Sequence, residues 1–194
     1  MKTNEVKACV TQQLRRLQVL PEPQRRAELA ELRRGVGRQP GDLPALWGAL
    51  LADMPEQLQG SNGPSKAEWA VYTALTLFAL HQQGEAGVSM NQPGSTLGGA
   101  VRQLAEKTAA GQDWTESSVL RRFNALATAD SMPEVSYHLR GMIQLLRREG
   151  SRWIIRSWPR ICINTSLWTV RRMSVCGGAG TFMRAPGENQ ENER

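Results

Sequence analysis

The chain has 194 residues, of which 24 are Lys or Arg and 18 are Asp or Glu, giving a net charge of +6. This length suits one domain or two small ones, and it is sufficient to bury a core without disulfides. The charge is uneven, because residues 1–150 carry +2 and residues 151–194 carry +4. On charge alone, a solvated helical surface explains the longer segment as well as a nucleic-acid partner does.

Cysteine usage and hydropathy exclude several classes of protein. The three cysteines form no CxxC pair, and an odd number of them fits a reducing cytoplasm better than a disulfide framework: Cys9, Cys162 and Cys176. The start of the chain lacks the apolar core of a signal peptide. No apolar run approaches the roughly 20 residues of a membrane span. We therefore expect a cytoplasmic protein with no membrane partner.

The first third of the chain has the apolar spacing of three short helices. Apolar residues at steps of three and four predict a helix over 5–19, ended by two prolines. A charged helix is predicted over 23–34, stopped by the glycines that follow. Asp42 is predicted to cap a third helix over 43–52, which has Pro44 in its first turn.

The next hundred residues predict four more helices. Ser65 and Glu68 have the spacing of a capping box and open a helix over 66–82 that is apolar nearly all round. Its side chains should include the most buried of the fold, among them Trp69, Leu75 and Phe78. A Gly-, Asn- and Ser-rich segment over 84–95 is expected to be mobile. Helices follow over 96–109, 115–129 and 133–149, and no segment alternates with period two, so the class is an all-α helical bundle.

No constellation of residues predicts catalysis, a metal site or a cofactor. His81 and His138 have no second ligand at metal spacing, so each is interpreted as a surface or lightly packed histidine. Cys9 has no histidine three or four residues further along its predicted helix, so it is not interpreted as a catalytic cysteine. The sequence GVGRQPG at 35–41 lacks the GK[ST] ending of a phosphate loop. Scattered acids near helix ends are explained by capping: Asp53, Asp113 and Asp130.

Arginines are the remaining candidates, because a guanidinium presents a planar fork of donors that fits a phosphate group. The candidate nucleic-acid ligands are Arg33, Arg34, Arg38, Arg102, Arg121, Arg122 and Arg140. Arg121 and Arg122 are adjacent on the predicted helix 115–129. One of them can therefore lie on the surface and the other beside the core, where it would pair with an acid. A structural alternative applies at helix C-termini, where arginine complements the helix dipole: Arg33, Arg34, Arg147 and Arg148.

Four segments in order carry a resemblance to a known family: LRRGVGRQPGDLPALW at 32–47, TLGGAVRQLA at 96–105, SSVLRRFNALATAD at 117–130 and HLRGMIQLLRREG at 138–150. Together they resemble the CasB family, the small subunit of the type I-E CRISPR surveillance complex Cascade. The resemblance implies an all-helical, non-enzymatic antiviral protein present in two copies. Its implied partners are the other Cascade subunits, the crRNA, and the target and displaced DNA strands.

The same resemblance assigns the candidate residues motif by motif. Arg33, Arg34 and Arg38 match an arginine-rich motif before a Pro-Gly turn. The basic position after Leu-Gly is matched by Arg102, and the Arg-Phe motif by Arg121, Arg122 and Phe123. The Leu-Arg of the following helix is matched by Arg140. An alternative function of a different class is a helical protein–protein adaptor whose arginines are merely solvated.

After Gly150 the chain departs from the family pattern, and we expect residues 1–150 to form a CasB-like helical lobe and 151–194 an irregular or disordered tail. The tail has no helical period, and its end, APGENQENER, has almost nothing to bury. A shifted reading frame can be tested by joining the third base of each codon to the first two bases of the next codon. In that frame, the Trp153–Ile154 junction must encode Asp, and the Trp158–Pro159 junction must encode Ala. The other junctions permit LDYxxLAxDLY and later VRLRWGRDFY, the family's missing motifs in order. We infer a one-base frame change near codon 151.

Overall fold

The computed structural model describes residues 2–84, 97–111 and 113–150. Within these ranges the chain is helical and contains no strand, which confirms the all-α prediction. Seven α-helices are present in the described part: α1 (Lys2–Val19), α2 (Glu22–Arg34), α3 (Pro44–Ala52), α4 (Lys66–His81), α5 (Leu97–Ala109), α6 (Ser118–Ala127) and α7 (Met132–Arg148). Two short 3-10 turns lie at Glu56–Leu58 and Trp114–Glu116.

The first three helices follow the predicted spans within a few residues, but the capping of α3 differs from the prediction. Leu43, not Asp42, occupies the N-cap of α3, and no side chain caps this helix. The Asp42 carboxylate instead accepts a hydrogen bond from the Gln39 amide at 2.9 Å. Asp42 therefore stabilises the loop before α3, and the prediction that it caps the helix is wrong.

The central element is α4, which packs against α1, α2 and α7. Its first turn has the predicted capping box, because the Ser65 hydroxyl accepts from the Glu68 amide while the Glu68 carboxylate accepts from the Ser65 amide. Leu75 and Phe78 are buried, as predicted. Trp69 is only half-buried, so that expectation is wrong; it lies in the first turn, where α4 emerges from the core.

The remaining helices complete the bundle around α4. Helix α5 packs on α6, and α6 packs on α7, which follows it after a four-residue connection, 128–131. Ser117 and Ser131 cap α6 and α7 by accepting from the amides three residues on. The buried faces of these two helices are apolar at helical spacing: Val119, Phe123 and Leu126 on α6, and Val135, Leu139, Met142, Ile143 and Leu146 on α7.

Two predictions fall on parts of the chain that are not described. Most of the loop expected at 84–95, and the whole tail 151–194, lie outside the described residues. Both expectations stay predictions. What the described residues establish is a helical body whose core is continuous from α1 to α7.

Candidate nucleic-acid interface

Arg33 and Arg34 are the last two residues of α2. Arg34 pairs with Glu31 one turn earlier at 3.1 Å, and both side chains are mostly exposed. A surface pair of this kind contributes little to stability and is screened by salt. The Arg34 guanidinium is thus held at the helix end in contact with solvent, while Arg33 is half-buried.

The segment between α2 and α3, residues 35–42, is called here the 35–42 loop. It starts with a turn in which the Arg38 amide donates to the Gly35 carbonyl at 3.1 Å. The same carbonyl accepts from the hydroxyl of Tyr72 on α4, also at 3.1 Å. Gly37 has a φ of 80°, a left-handed conformation that favours glycine. These contacts hold the loop in one arrangement with the Arg38 side chain exposed.

A second arginine reaches this loop from a distant part of the chain. The Nη1 atom of Arg140, on α7, lies 3.0 Å from the point that a Cβ would occupy on Gly37. Arg140 is exposed, like Arg38. The fold therefore brings Arg140 to the residue that precedes Arg38, although the two arginines are far apart in sequence. A phosphate group bound here could contact donors from both.

Two charges of the 35–42 loop act on the buried phenol beneath it. Burial raises the pKa of Tyr72 above its ordinary value, and the negative charge of Asp42 raises it further. Arg38 acts in the opposite direction and lowers this pKa. The Tyr72 hydroxyl therefore stays protonated and remains a donor to Gly35 at neutral pH.

Arg121 and Arg122 lie side by side on α6, and both are exposed. The expectation that one would flank the core and pair with an acid inside is wrong. Phe123 turns inward, and within the described ranges neither arginine forms an ion pair. Two adjacent exposed arginines on a helix with no acidic residue form a local positive patch.

Arg102 on α5 is engaged with its neighbours. Its Nε donates to Glu106 one turn on at 2.8 Å, and its guanidinium carbon lies 5.6 Å from the centre of the Trp114 ring. The second contact has the geometry of a cation–π interaction. Arg102 therefore helps to join α5 to the 3-10 turn that precedes α6, and it is a weaker candidate than the exposed arginines.

Arg147 has the structural role that its position at a helix end suggested, although it acts on another helix. Its Nε donates to the Gln83 carbonyl at 3.0 Å, and Nη1 donates to the Gln83 side-chain oxygen at 3.3 Å. Gln83 follows the last turn of α4. Arg147 thereby satisfies a carbonyl beyond the end of α4 and joins it to α7.

The acids and histidines differ in part from their predicted roles. Asp113 caps the 3-10 turn by accepting from the Thr115 amide, as expected. Asp53 occupies the C-cap of α3, where its backbone amide donates to the Leu51 carbonyl, while its carboxylate accepts from Gln13 at 2.9 Å. Asp130 is not a cap, since Ser131 fills that position on α7. His138 is partly exposed beside Glu134.

His81 is fully buried at the end of α4, so its interpretation as a surface or lightly packed histidine is wrong. The single described cysteine, Cys9, is also buried, and burial together with the charge of Asp53 raises the pKa of its thiol. Across the described ranges, no three His, Cys, Asp or Glu side chains come close enough to hold a metal ion. None of the described helices has the length and apolar content needed to cross a membrane.

One residue of this region was missed by sequence reasoning. Tyr72 lies in the helix predicted over 66–82, and the apolar pattern of that helix does not single it out. A signal was present, because a buried tyrosine usually needs a partner for its hydroxyl. The sequence does not reveal which carbonyl supplies that partner.

Comparison with known proteins identifies the family of this helical, arginine-bearing fold. Residues 28–176 match the family model described as CRISPR-associated protein Cse2, and this span exceeds half of the chain. The chain therefore belongs to the Cse2 family. The fold is similar to the crystal structure of CasB from Thermobifida fusca, with 28% sequence identity and a TM-score of 0.67. The alignment covers 93% of this chain and 98% of that one.

Two further findings complete the comparison. No curated protein sequence matches the chain significantly. The family match continues beyond Gly150 to residue 176, so the family model does not end where the four quoted segments end. The division at residue 150 and the frame change stay predictions.

Proposed function

We propose that this protein is a non-catalytic, nucleic-acid-binding small subunit of a type I-E CRISPR Cascade complex. Its partners would be the other Cascade subunits, a second copy of itself, the crRNA, and the target and displaced DNA strands. Membership of the Cse2 family supports the CRISPR context. The observation that carries the binding role is the approach of exposed Arg140 to Gly37, which directly precedes exposed Arg38 in the 35–42 loop.

The chemistry of this region favours contacts to the phosphate backbone. Guanidinium groups bind phosphate through charge-assisted hydrogen bonds, and such contacts carry no direct base information. Binding should therefore be largely independent of sequence. The patch of Arg121 and Arg122 would add a second group of phosphate contacts, and Arg33 and Arg34 would extend the first.

The experiment is charge reversal of Arg33, Arg34 and Arg38 together, measured as DNA affinity at two salt concentrations with the other Cascade subunits present. Affinity should fall, and each lost phosphate contact should reduce the salt slope by about 0.7 on single strands or about 0.9 on duplex. The isolated chain should bind weakly, since these contacts would add to those of the assembled complex.

A matched control separates local contacts from overall charge. Reversal of Lys7, Arg15 and Arg26, which are exposed on α1 and α2, changes the net charge equally at other positions. This control should lose much less affinity than the first variant. Unchanged affinity and salt slope in a folded Arg33, Arg34 and Arg38 variant would remove the cluster from the interface and favour the protein–protein adaptor.

A further inference from the structure

Tyr72 is a polar residue inside the apolar central helix. Its side chain is 2% exposed, and its hydroxyl donates to the Gly35 carbonyl. The phenol ring also meets Trp47 of α3 edge to face, with 6.0 Å between ring centres. Tyr72 therefore contacts the first residue of the 35–42 loop and a residue of the helix that follows this loop.

The first residue of this loop, Gly35, is packed closely against α4. A Cβ on Gly35 would lie 2.7 Å from the Tyr72 hydroxyl oxygen and 2.8 Å from Cγ2 of Thr76. Both distances are shorter than a van der Waals contact. The backbone at Gly35 thus lies directly on α4, and the Tyr72 hydroxyl fixes the direction of the Gly35 carbonyl.

The Gly35 carbonyl also fixes the position of the Arg38 backbone. It accepts from the Arg38 amide as well as from Tyr72, so the turn 35–38 is closed over the hydroxyl. Arg140 then packs on Gly37 from the α7 side. A flexible arginine loses conformational entropy when it binds a phosphate, and a preformed turn lowers that cost.

We propose that Tyr72 is a positioning residue for nucleic-acid binding: its hydroxyl holds the turn 35–38 so that Arg38 meets a phosphate beside Arg140. This inference rests on the proposed function. Tyr72 itself is buried and would not touch the nucleic acid. It would act through the Gly35 carbonyl and the backbone of Arg38.

The test compares Tyr72→Phe, which removes only the hydroxyl, with Tyr137→Phe, which removes the hydroxyl of the other tyrosine in the chain. Tyr137 is 72% exposed on α7. Each variant, Arg38→Gln and the double variant Tyr72→Phe with Arg38→Gln are bound to a mixed-sequence single-stranded DNA, with the other Cascade subunits present. Affinity is measured at several salt concentrations, below the unfolding temperature of every variant.

Arg38→Gln should reduce the salt slope by about 0.7. Tyr72→Phe should weaken binding by about two- to tenfold, the effect of one hydrogen bond. The double variant should bind no more weakly than Arg38→Gln alone, and Tyr137→Phe should bind like the parent chain. Hydrogen exchange at the amides of Val36 and Arg38 should accelerate in Tyr72→Phe.

The outcomes distinguish the two proposals. An unchanged slope in Arg38→Gln overturns the positioning role, because there is then no Arg38 contact to position, and the charge reversal of Arg33, Arg34 and Arg38 then decides the proposed function separately. A reduced slope in Arg38→Gln with parental affinity in Tyr72→Phe, or with additive losses in the double variant, overturns only the positioning role. A purely structural tyrosine would lower thermal stability without this non-additivity.

A second measurement applies if Tyr72→Phe does not fold. With carbon-13-labelled tyrosine in the full-length chain, the ring signal of Tyr72 should shift on addition of the same DNA. The shift should be absent in Arg38→Gln, since phosphate would neutralise the charge that acts on this phenol. If the chemical shift of the Tyr72 ring stays unchanged on addition of the DNA while the backbone signal of Arg38 shifts, the positioning role is overturned.

Discussion

At Gly35 the chain passes so close to α4 that no side chain fits. A methyl group there would meet Tyr72, Thr76 and also Leu46, whose Cδ2 atom lies 2.9 Å from the Cβ position. We expect Gly35→Ala to reduce the free energy of unfolding by about 1–3 kcal/mol, the usual cost of overpacking a filled site. Urea denaturation monitored by circular dichroism measures this change.

Gly48 provides the matched control for this substitution. It lies inside α3, and a Cβ added there meets nothing within 4 Å. Since alanine has the higher helix propensity, Gly48→Ala should be neutral or stabilising by up to about 1 kcal/mol. Equal destabilisation by both substitutions would contradict the close approach described for Gly35.

Single residues were predicted best where one local rule decided their environment. Leu75 and Phe78 were correctly predicted to be buried, because they lie within a helix that is apolar nearly all round. His81 was predicted wrongly because its place at a helix end suggested exposure. The last turn of α7, which carries Arg147 to Gln83, packs near this end of α4, and no local pattern encodes that contact.

At the level of the helix, the capping box of α4 has an additional anchor. The Ser65 hydroxyl accepts from the Glu68 amide at 3.1 Å and donates to the Leu58 carbonyl at 2.5 Å. Ser65→Ala should therefore lower the free energy of unfolding by about 1–2 kcal/mol. Chemical denaturation tests this, with Ser131→Ala at the exposed cap of α7 as a comparison. A smaller loss at Ser65 than at Ser131 would count against the anchoring role.

The contact between Arg147 and Gln83 should contribute to stability and not to binding. Arg147→Ala removes two hydrogen bonds to Gln83, the second residue after α4, and we expect a loss of about 1 kcal/mol in unfolding free energy. Arg148→Ala, an exposed neighbour in the same turn, is the control and should have little effect. DNA affinity should be unchanged in Arg147→Ala; a loss of affinity with normal stability would assign Arg147 to the interface.

Helices were more predictable than the contacts at their ends. Apolar spacing and the Gly, Pro and Ser signals located the helices within a few residues. The capping box at Ser65 was correct because both partners are local. The prediction that Asp42 caps α3 was wrong because Leu43 occupies the N-cap. The Asp42 carboxylate accepts from the Gln39 amide instead, and this hydrogen bond depends on the loop conformation.

On the scale of the whole molecule, the candidate interface depends on how helices from different parts of the chain pack. The exposure of Arg38 could be expected from its polar surroundings, whereas the exposure of both Arg121 and Arg122 was not expected. The approach of Arg140 to Gly37 could not be expected, because it follows from the packing of α7 and α2 against α4. The sequence thus predicted most of the candidate residues but not which of them lie together.

The proposed frame change makes a prediction about the gene. Insertion of one nucleotide near codon 151 should replace the present tail with the motifs LDYxxLAxDLY and VRLRWGRDFY. We expect the restored chain to associate more strongly with the other Cascade subunits, measured by co-purification against the present chain. Sequencing the locus through codon 151 is the direct control. An intact frame there, with no gain from the insertion, would contradict the inference.

The position of α4 has a consequence for synthesis of the protein on the ribosome. This helix is apolar nearly all round, and it is covered by α1 and α2, which are made before it, and by α7, which is made last among the described helices. Until Leu146 has emerged, one side of α4 is uncovered, and such a nascent chain is prone to aggregate. An interruption of translation before α7 should therefore leave an insoluble fragment. A frameshift after Gly150 should not have this effect, because α7 has by then been synthesised and can cover α4.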